Sequence, residues 1–334
     1  MEKLETKIRK LETDNGVILP KELDARSFQK WLAKIRKKDT NLTLQFNKFQ
    51  FQNIMKKLFV LFVFITISIS INAQITGEME LAYIEAWNLL NDGHRNKDDI
   101  KLKQAFEKMK ASANMGHPFA QHELARNYET GEGCPVNFEE AYRWMYLAAN
   151  NPNWSKMTDE QKKFWDNSIG DSFFFLGVYC MDGIGTSKDM KRAMDYWQQG
   201  SQNKGFYQKN CYLQLAFGYE QGWGGYVRSA NKAVEMFKKA SDLGDADAPF
   251  YLASYYTHGE GGLKQSDENA FNCTKLSAER GFVQAIYAMG IIYEGGYFGQ
   301  ISDMKKAVEW YIMAAKRKYT DAIVRLSELG VDWR

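Results

Sequence analysis

The sequence predicts an all-α fold, a right-handed α/α superhelix (solenoid) of about six helical hairpin repeats with a C-terminal capping helix. The first observation is an apolar anchor that recurs with spacings of 52, 39, 37, 37 and 37 residues, at Leu124, Leu176, Leu215, Leu252, Met289 and Leu326. A glycine follows seven residues after each of the first five anchors. A second series of alanines is preceded, four residues earlier, by residue types that cap helices. A period near 37 with two helices is typical of an α-solenoid.

Residues 248–282 show how one hairpin is encoded. Apolar side chains at positions 248, 252, 253 and 256 have the spacing of one helix face. Gly259 ends this first helix, because glycine accepts a positive φ at little cost. Ser266 offers its side-chain oxygen as N-cap, so the second helix is expected to begin at Asp267 and to end before Gly281.

Four series of residues recur with the same period. The turn glycines are Gly131, Gly183, Gly222, Gly259 and Gly296. Phe298 breaks a series of second glycines, which stand two residues later at Gly133, Gly185, Gly224 and Gly261. The alanines fall at Ala141, Ala193, Ala233, Ala270 and Ala307, and the capping residues before them are Asn137, Asp189, Ser229, Ser266 and Asp303. These series predict tight turns, capped second helices and close helix–helix approach.

The motif behind these series resembles a known repeat. The pattern A-x-x-x-[LM]-[AG]-x-x-Y-x-x-G-x-G, followed by a helix ending in Ala-Ala, is similar to the Sel-one-like repeat, a relative of the tetratricopeptide repeat. Its clearest copies are AQHELARNYETGEG from Ala120, APFYLASYYTHGEG from Ala248 and AIYAMGIIYEGG from Ala285. The resemblance covers most of residues 80–334. It implies an α-solenoid of an extracytoplasmic bacterial type.

The solenoid is expected to span residues 74–334. Its hairpins are predicted near 79–116, 117–150, 168–206, 207–245, 246–282 and 283–320, with a capping helix at 321–334. The first hairpin is degenerate, because Gly93 takes the turn-glycine position while Lys101 stands where a cap is expected. Atypical terminal units are normal in solenoids, where one face meets water.

Residues 151–167 are expected to be an insertion between the second and third hairpins. Thr158 and Gln161 match a capping box, which predicts a short additional helix. Two interpretations of Trp154 and Trp165 stay open: the rings pack onto the neighbouring repeat, or they contact a partner.

Residues 55–73 have the three-part plan of a secretory signal peptide. Two lysines follow Met55, an apolar run comes next, and Ala73 supplies a small residue before a cleavage point. The protein is therefore expected to be periplasmic or secreted, with a mature chain that starts at Gln74. A single-pass anchor with a basic cytoplasmic tail is the alternative.

Residues 1–54 differ in composition from the chain that follows. They are expected to be an upstream mis-assigned start or a poorly ordered extension, and a basic amphipathic helix at residues 30–38 is the alternative. Residues 74–334 carry 30 Lys/Arg and 34 Asp/Glu, a net charge of −4. Because this body is mildly acidic and has no basic stripe, nucleic acid is excluded as the expected partner. No stable membrane insertion is expected after signal cleavage.

The chemistry-bearing residues predict neither a catalytic nor a metal site, and no cofactor. The four histidines, at positions 94, 117, 122 and 258, are expected at surfaces or turns. The cysteines are Cys134, Cys180, Cys211 and Cys273, one per repeat in four different slots. They are expected to be free thiols.

Two functional classes follow. The first is a non-catalytic scaffold or adaptor that binds a protein or peptide on the concave face of the solenoid. The second is a β-lactamase-like hydrolase. The resemblance implies it, because a cysteine-rich branch of the Sel-one-like repeat family has been described as β-lactamase-like. That branch carries a cysteine pair in each repeat, which this chain lacks, and no nucleophile–base arrangement is visible. The scaffold is therefore the prediction.

The binding face is predicted by analogy with tetratricopeptide-like units, in which the first helix lines the inner wall. The positions two before and two after each anchor then point inward. They read His122, Arg126, Phe174, Val178, Leu213, Phe217, Phe250, Ser254, Tyr287 and Ile291. An apolar, aromatic middle and a cationic N-terminal rim are expected, and an exposed patch of that kind marks an interaction site. The alternative is that curvature or the insertion buries these side chains as core.

Overall fold

Helical hairpins follow one another along the chain, and in five of them a glycine turn leads from the first helix to a second helix that starts at a side-chain cap. The computed structural model describes residues 77–156 and 169–333, which form thirteen α-helices and no strand. The helices are α1 (residues 77–96), α2 (Asp99–Asn114), α3 (Pro118–Thr130), α4 (Phe138–Ala149), α5 (Ile169–Asp182), α6 (Met190–Gln202), α7 (Gln208–Gln221), α8 (Ala230–Asp242), α9 (Ala248–His258), α10 (Asp267–Glu279), α11 (Val283–Gly295), α12 (Met304–Ala315) and α13 (Thr320–Glu328). Short 3₁₀ turns occupy Pro152–Lys156 and Trp223–Gly225. The predicted extension 1–54, the signal peptide 55–73 and residues 157–167 of the insertion lie outside the described residues.

Each odd-numbered helix from α3 to α11 packs against the even-numbered helix that precedes it and against the one that follows it. The anchors of these first helices are at most 4% exposed, so they form the core between the two helix layers. α13 packs on α12 at the C-terminal end of the array. The predicted all-α solenoid of helical hairpins is confirmed.

Side-chain caps start the second helices, as predicted. Each capping oxygen accepts a hydrogen bond from the backbone N–H three residues later, at 2.9–3.3 Å, and the five caps are Asn137, Asp189, Ser229, Ser266 and Asp303. Each bond satisfies one of the N–H groups that a helix start leaves without a partner. The alanines four residues later are fully buried, at Ala141, Ala193, Ala233, Ala270 and Ala307.

The two glycine series have different physical causes. The first glycine of each turn adopts the left-handed conformation that ends the first helix, with φ between +67° and +79°. The second glycine also has positive φ, and in addition it approaches the start of the preceding second helix. A Cβ on Gly185 would lie well inside the van der Waals radius of the Phe138 carbonyl oxygen. Only glycine fits there.

The N-terminal hairpin differs from the prediction. Gly93 does not end α1, which continues to residue 96, and the turn is made by Lys97 with φ +54°. The cap expected to be missing at Lys101 is supplied by Asp98, whose carboxylate accepts from the N–H groups of Ile100 and Lys101. The second helix therefore begins about one turn earlier than in the other repeats.

Trp154, in the first part of the insertion, packs onto the neighbouring repeat. Its ring meets Phe119 edge-on at 4.9 Å, and its Nε1–H donates to the Ala148 carbonyl oxygen. This is the first of the two interpretations left open by the sequence. The four cysteines are free in this structure, and Cys180 and Cys211 are buried.

Candidate functional site

The predicted inward positions share one helix face for a geometric reason. At about 100° per residue, the residues two before, two after and five after an anchor lie within about 60° of one another. That face is opposite the anchor, which points into the core. The first two of these positions were predicted from the sequence, and the third was not.

The side chains two before the anchors pack against the next repeat. Leu213 is 6% exposed, and the rings of the other apolar members meet an aromatic residue at the start of the next first helix. These ring pairs, with centroids 4.7–5.4 Å apart, are Phe174–Tyr207, Phe250–Phe282 and Tyr287–Tyr319. They hold neighbouring repeats together.

The structure changes the expected cationic N-terminal rim, because His122 is uncharged and Arg126 pairs with Glu129. His122 is buried, and one ring nitrogen, Nδ1, lies 2.9 Å from the Ser172 hydroxyl of the next repeat. Burial lowers the pKa of His122 to about 3, so the imidazole is neutral at pH 7. The Arg126 guanidinium bonds to Glu129 and lies 4.4 Å over the Phe175 ring. The expectation that His122 is a surface residue is also wrong.

The positions two after the anchors differ along the array. Val178 is half-buried, and Phe217 packs edge-on against Phe237 at 5.4 Å and Tyr251 at 4.8 Å. Ser254 is exposed and Ile291 is 39% exposed. The accessible part of the predicted face therefore lies at α9 and α11.

An apolar groove of about 730 Å³ lies between α9 and α11. It brings together three of the residues singled out from the sequence, namely Phe250, Ser254 and Ile291. Tyr297 and Phe298, from the turn after α11, form another part of its lining, and Tyr297 is 56% exposed. The structure does not bring Arg126, Phe174, Val178, Leu213, Phe217 or Tyr287 into this groove.

A second, polar groove of about 330 Å³ occupies the equivalent place one repeat earlier, between α7 and α9. Its lining includes Glu220, Arg228 and Glu260, and Ser254 lines both grooves. Several residues that line the polar groove have a counterpart 37 positions later that lines the apolar groove, such as Ser254 with Ile291 and Glu260 with Tyr297. The same architectural site is thus polar in one repeat and apolar in the next.

A set of glutamates five residues after the anchors was not among the predicted site residues. Glu129 and Glu220 each accept a hydrogen bond from a tyrosine hydroxyl of the next repeat, at 2.7 Å from Tyr179 and 2.8 Å from Tyr255. The third member, Glu294, pairs with Arg325 of α13. Their recurrence at one slot was visible in the sequence. Their hydrogen bonds require the fold.

Two further features of the described residues concern metal binding and membrane spanning. Within residues 77–156 and 169–333, no three His, Cys, Asp or Glu side chains lie together in a way that would hold a metal ion. The helices of these same ranges include none with the length and apolarity needed to cross a membrane.

Comparisons with known proteins agree with the repeat architecture. The Sel1 repeat family profile matches residues 118–153, 174–204, 210–245, 246–282 and 283–319, more than half of the chain. The structure is similar to that of a Sel1 repeat protein from Oxalobacter formigenes, with 26% identity and a TM-score of 0.59 over 72% of this chain and 88% of that one. The curated proteins give no match.

A second solved structure shares the fold. It is a protective antigen of uropathogenic Escherichia coli strains that displays an SLR fold, at 23% identity and a TM-score of 0.61. The match covers 78% of this chain and 51% of the antigen, so this chain spans about half of that protein. Sel1 repeats generally mediate protein–protein interaction, and their scaffold is typically non-catalytic. On the five matched repeats and the hairpin array, this chain belongs to the Sel1 repeat family.

Proposed function

We propose that this chain is a non-catalytic scaffold, exported from the cytoplasm, that binds a protein or peptide along the first helices of its C-terminal repeats. The apolar groove between α9 and α11 carries this proposal. Ile291 and Tyr297 both line the groove and are 39% and 56% exposed, so they present apolar surface to solvent there.

The groove has the features of a recognition surface. It combines apolar side chains with polar groups at its edge, Ser254 and Asp267, and it adjoins the polar groove across α9. A partner segment lying across both grooves would bury apolar surface and meet hydrogen-bonding groups at the rim, which is the usual anatomy of protein interfaces.

Filling the groove is expected to abolish partner binding. Ser254→Trp places a large ring at an exposed position that lines both grooves, so the partner affinity should fall at least about tenfold. The stability should change by no more than about 0.5 kcal/mol, as for other surface substitutions. The measurement is quantitative co-purification from the native host, alongside thermal unfolding of the purified variant.

Leu276→Trp on α10 is the matched control, because Leu276 is an exposed apolar residue outside both grooves. It should bind the partner like the wild type. Equal binding by the wild type and the Ser254→Trp variant would contradict the proposed site.

The export part of the proposal is supported by the lysine pair at 56–57, the apolar run and Ala73. The native protein is expected to start at Gln74. Intact-mass measurement on protein isolated from the native host checks this, and a mass that includes residues 1–54 would contradict export through this signal.

A further inference from the structure

We propose that the segment recognised by this chain carries a large apolar side chain and, beside it, a lysine or arginine. The apolar side chain enters the groove between α9 and α11, and the cation meets carboxylates around the polar groove and its rim. This inference rests on the proposed function and adds the chemistry of the partner.

The apolar subsite is a local departure from the repeat pattern. In the preceding turn, Gly261 lies against α8, where an added Cβ would be 2.9 Å from the Ala230 carbonyl oxygen. Phe298 takes the equivalent place one repeat later, and its benzyl side chain lines the groove. The groove there is about 730 Å³, against about 330 Å³ in the preceding repeat.

Phe298 also keeps a backbone conformation that suits glycine. Its φ is +54°, in the left-handed region that costs a bulky residue about 1–2 kcal/mol. The preceding repeats have glycine at this position, which would avoid the strain. Phe298 at this position therefore points to a role for its side chain rather than its backbone. Here that side chain contributes to an apolar cavity open to solvent.

The charges beside this subsite are mainly negative. Asp267 lines the apolar groove, and Glu220 and Glu260 line the polar one. Among the described residues, no cation pairs with the Glu260 or Asp267 carboxylate. Glu220 accepts a hydrogen bond from the Tyr255 hydroxyl at 2.8 Å.

One cation lies among these carboxylates. Arg228 lines the polar groove, and its Nε–H donates to the Gln221 carbonyl oxygen at 3.1 Å. Three carboxylates against one guanidinium leave the surface complementary to a basic group.

The two subsites are one helix apart. Because Ser254 on α9 lines both grooves, their centres are separated by roughly one helix diameter, about 10 Å. About three residues of extended chain span that distance. The recognised segment therefore presents its apolar and basic side chains close together in sequence.

A phage-displayed library of random 12-residue peptides tests the inference on the purified protein. The library is panned on the wild type and depleted on the Ser254→Trp variant, so that only groove-dependent peptides remain. These peptides are expected to combine an aromatic or large aliphatic residue with a lysine or arginine a few positions away.

Fluorescence anisotropy of one recovered peptide then measures how much the acidic residues contribute to the binding affinity. The double variant Glu260→Lys/Asp267→Lys should bind the peptide about tenfold more weakly than the wild type at low salt, with a smaller difference at high salt. A peptide in which norleucine replaces the cationic residue should bind the wild type and the double variant equally.

Two other outcomes would contradict either the proposed partner chemistry alone or the docking site as well. Groove-dependent peptides without basic residues, or unchanged binding of the basic peptide to the double variant, would overturn this inference and leave the proposed binding function standing. Recovery of no groove-dependent peptide would overturn the inference together with the proposed docking site.

Discussion

Gly185→Ala is expected to destabilise the protein by about 3 kcal/mol or more. About 1 kcal/mol comes from forcing alanine into a left-handed conformation, since φ is +64°. The remainder is steric, because the new Cβ would overlap the backbone of Phe138 and Glu139 at the start of α4. Backbone held by a helix cannot move aside without opening the interface between two repeats. Urea denaturation followed by circular dichroism measures the change.

Gly183→Ala is the control from the same turn. Its φ is +75°, and the nearest atom to its added Cβ is the Lys188 Cγ at 2.8 Å, on a flexible side chain. This variant should lose only about 1 kcal/mol. Equal losses for the two variants would show that the second glycine series serves turn conformation alone, without the close approach between repeats.

The Glu123→Gln substitution is expected to change the free energy of unfolding differently at pH 8 and at pH 4. Its effect should be more stabilising at pH 8 by about 3 kcal/mol. Burial raises the pKa of Glu123 from its usual value to about 7, with Arg126 opposing the shift. The folded state therefore binds a proton more tightly than the unfolded state. The resulting stability is fully present below pH 4.5 and is lost as the pH rises through 7. Glutamine removes this loss.

The contribution of His122 to stability changes with pH in the opposite direction. Because burial lowers its pKa to about 3, its contribution is present above pH 6.5 and is lost as the pH falls toward 3. The two residues oppose each other between pH 4.5 and 6.5 in the wild type. In the Glu123→Gln variant, stability should fall steadily on acidification through that window.

Denaturant unfolding at several pH values checks this prediction. Glu309→Gln on α12 is the control, because Glu309 is exposed and far along the chain from His122. As an exposed surface substitution, it should change the free energy of unfolding by no more than about 0.5 kcal/mol. A pH profile of Glu123→Gln parallel to the wild type would contradict the assigned role of the Glu123 carboxyl.

The repeat fold was predictable because its determinants are local. A capping oxygen acts three residues away, as at Ser266, and a glycine such as Gly259 acts on its own backbone. Local determinants recur with the period of the sequence. The N-terminal hairpin departs from that period, and there the prediction misplaced both the turn at Gly93 and the cap that Asp98 provides.

The candidate site was predictable only in part, because exposure depends on the neighbouring repeat. His122 and Ser254 both belong to the predicted inward positions, yet the first is buried against Ser172 while the second is exposed. No feature of a single helix distinguishes them. Phe298 stood out in the sequence as a break in the glycine series, and only the structure shows that it lines a groove.

Site-specific photo-crosslinking tests the central claim most directly, namely that the partner docks at the groove between α9 and α11. p-Benzoylphenylalanine replaces either Tyr297, an exposed residue that lines the groove, or Tyr146, an exposed tyrosine on α4. Irradiation in the native host is expected to join the partner to position 297 and not to position 146. Crosslinking of the partner at position 146 with none at position 297 would contradict the claim.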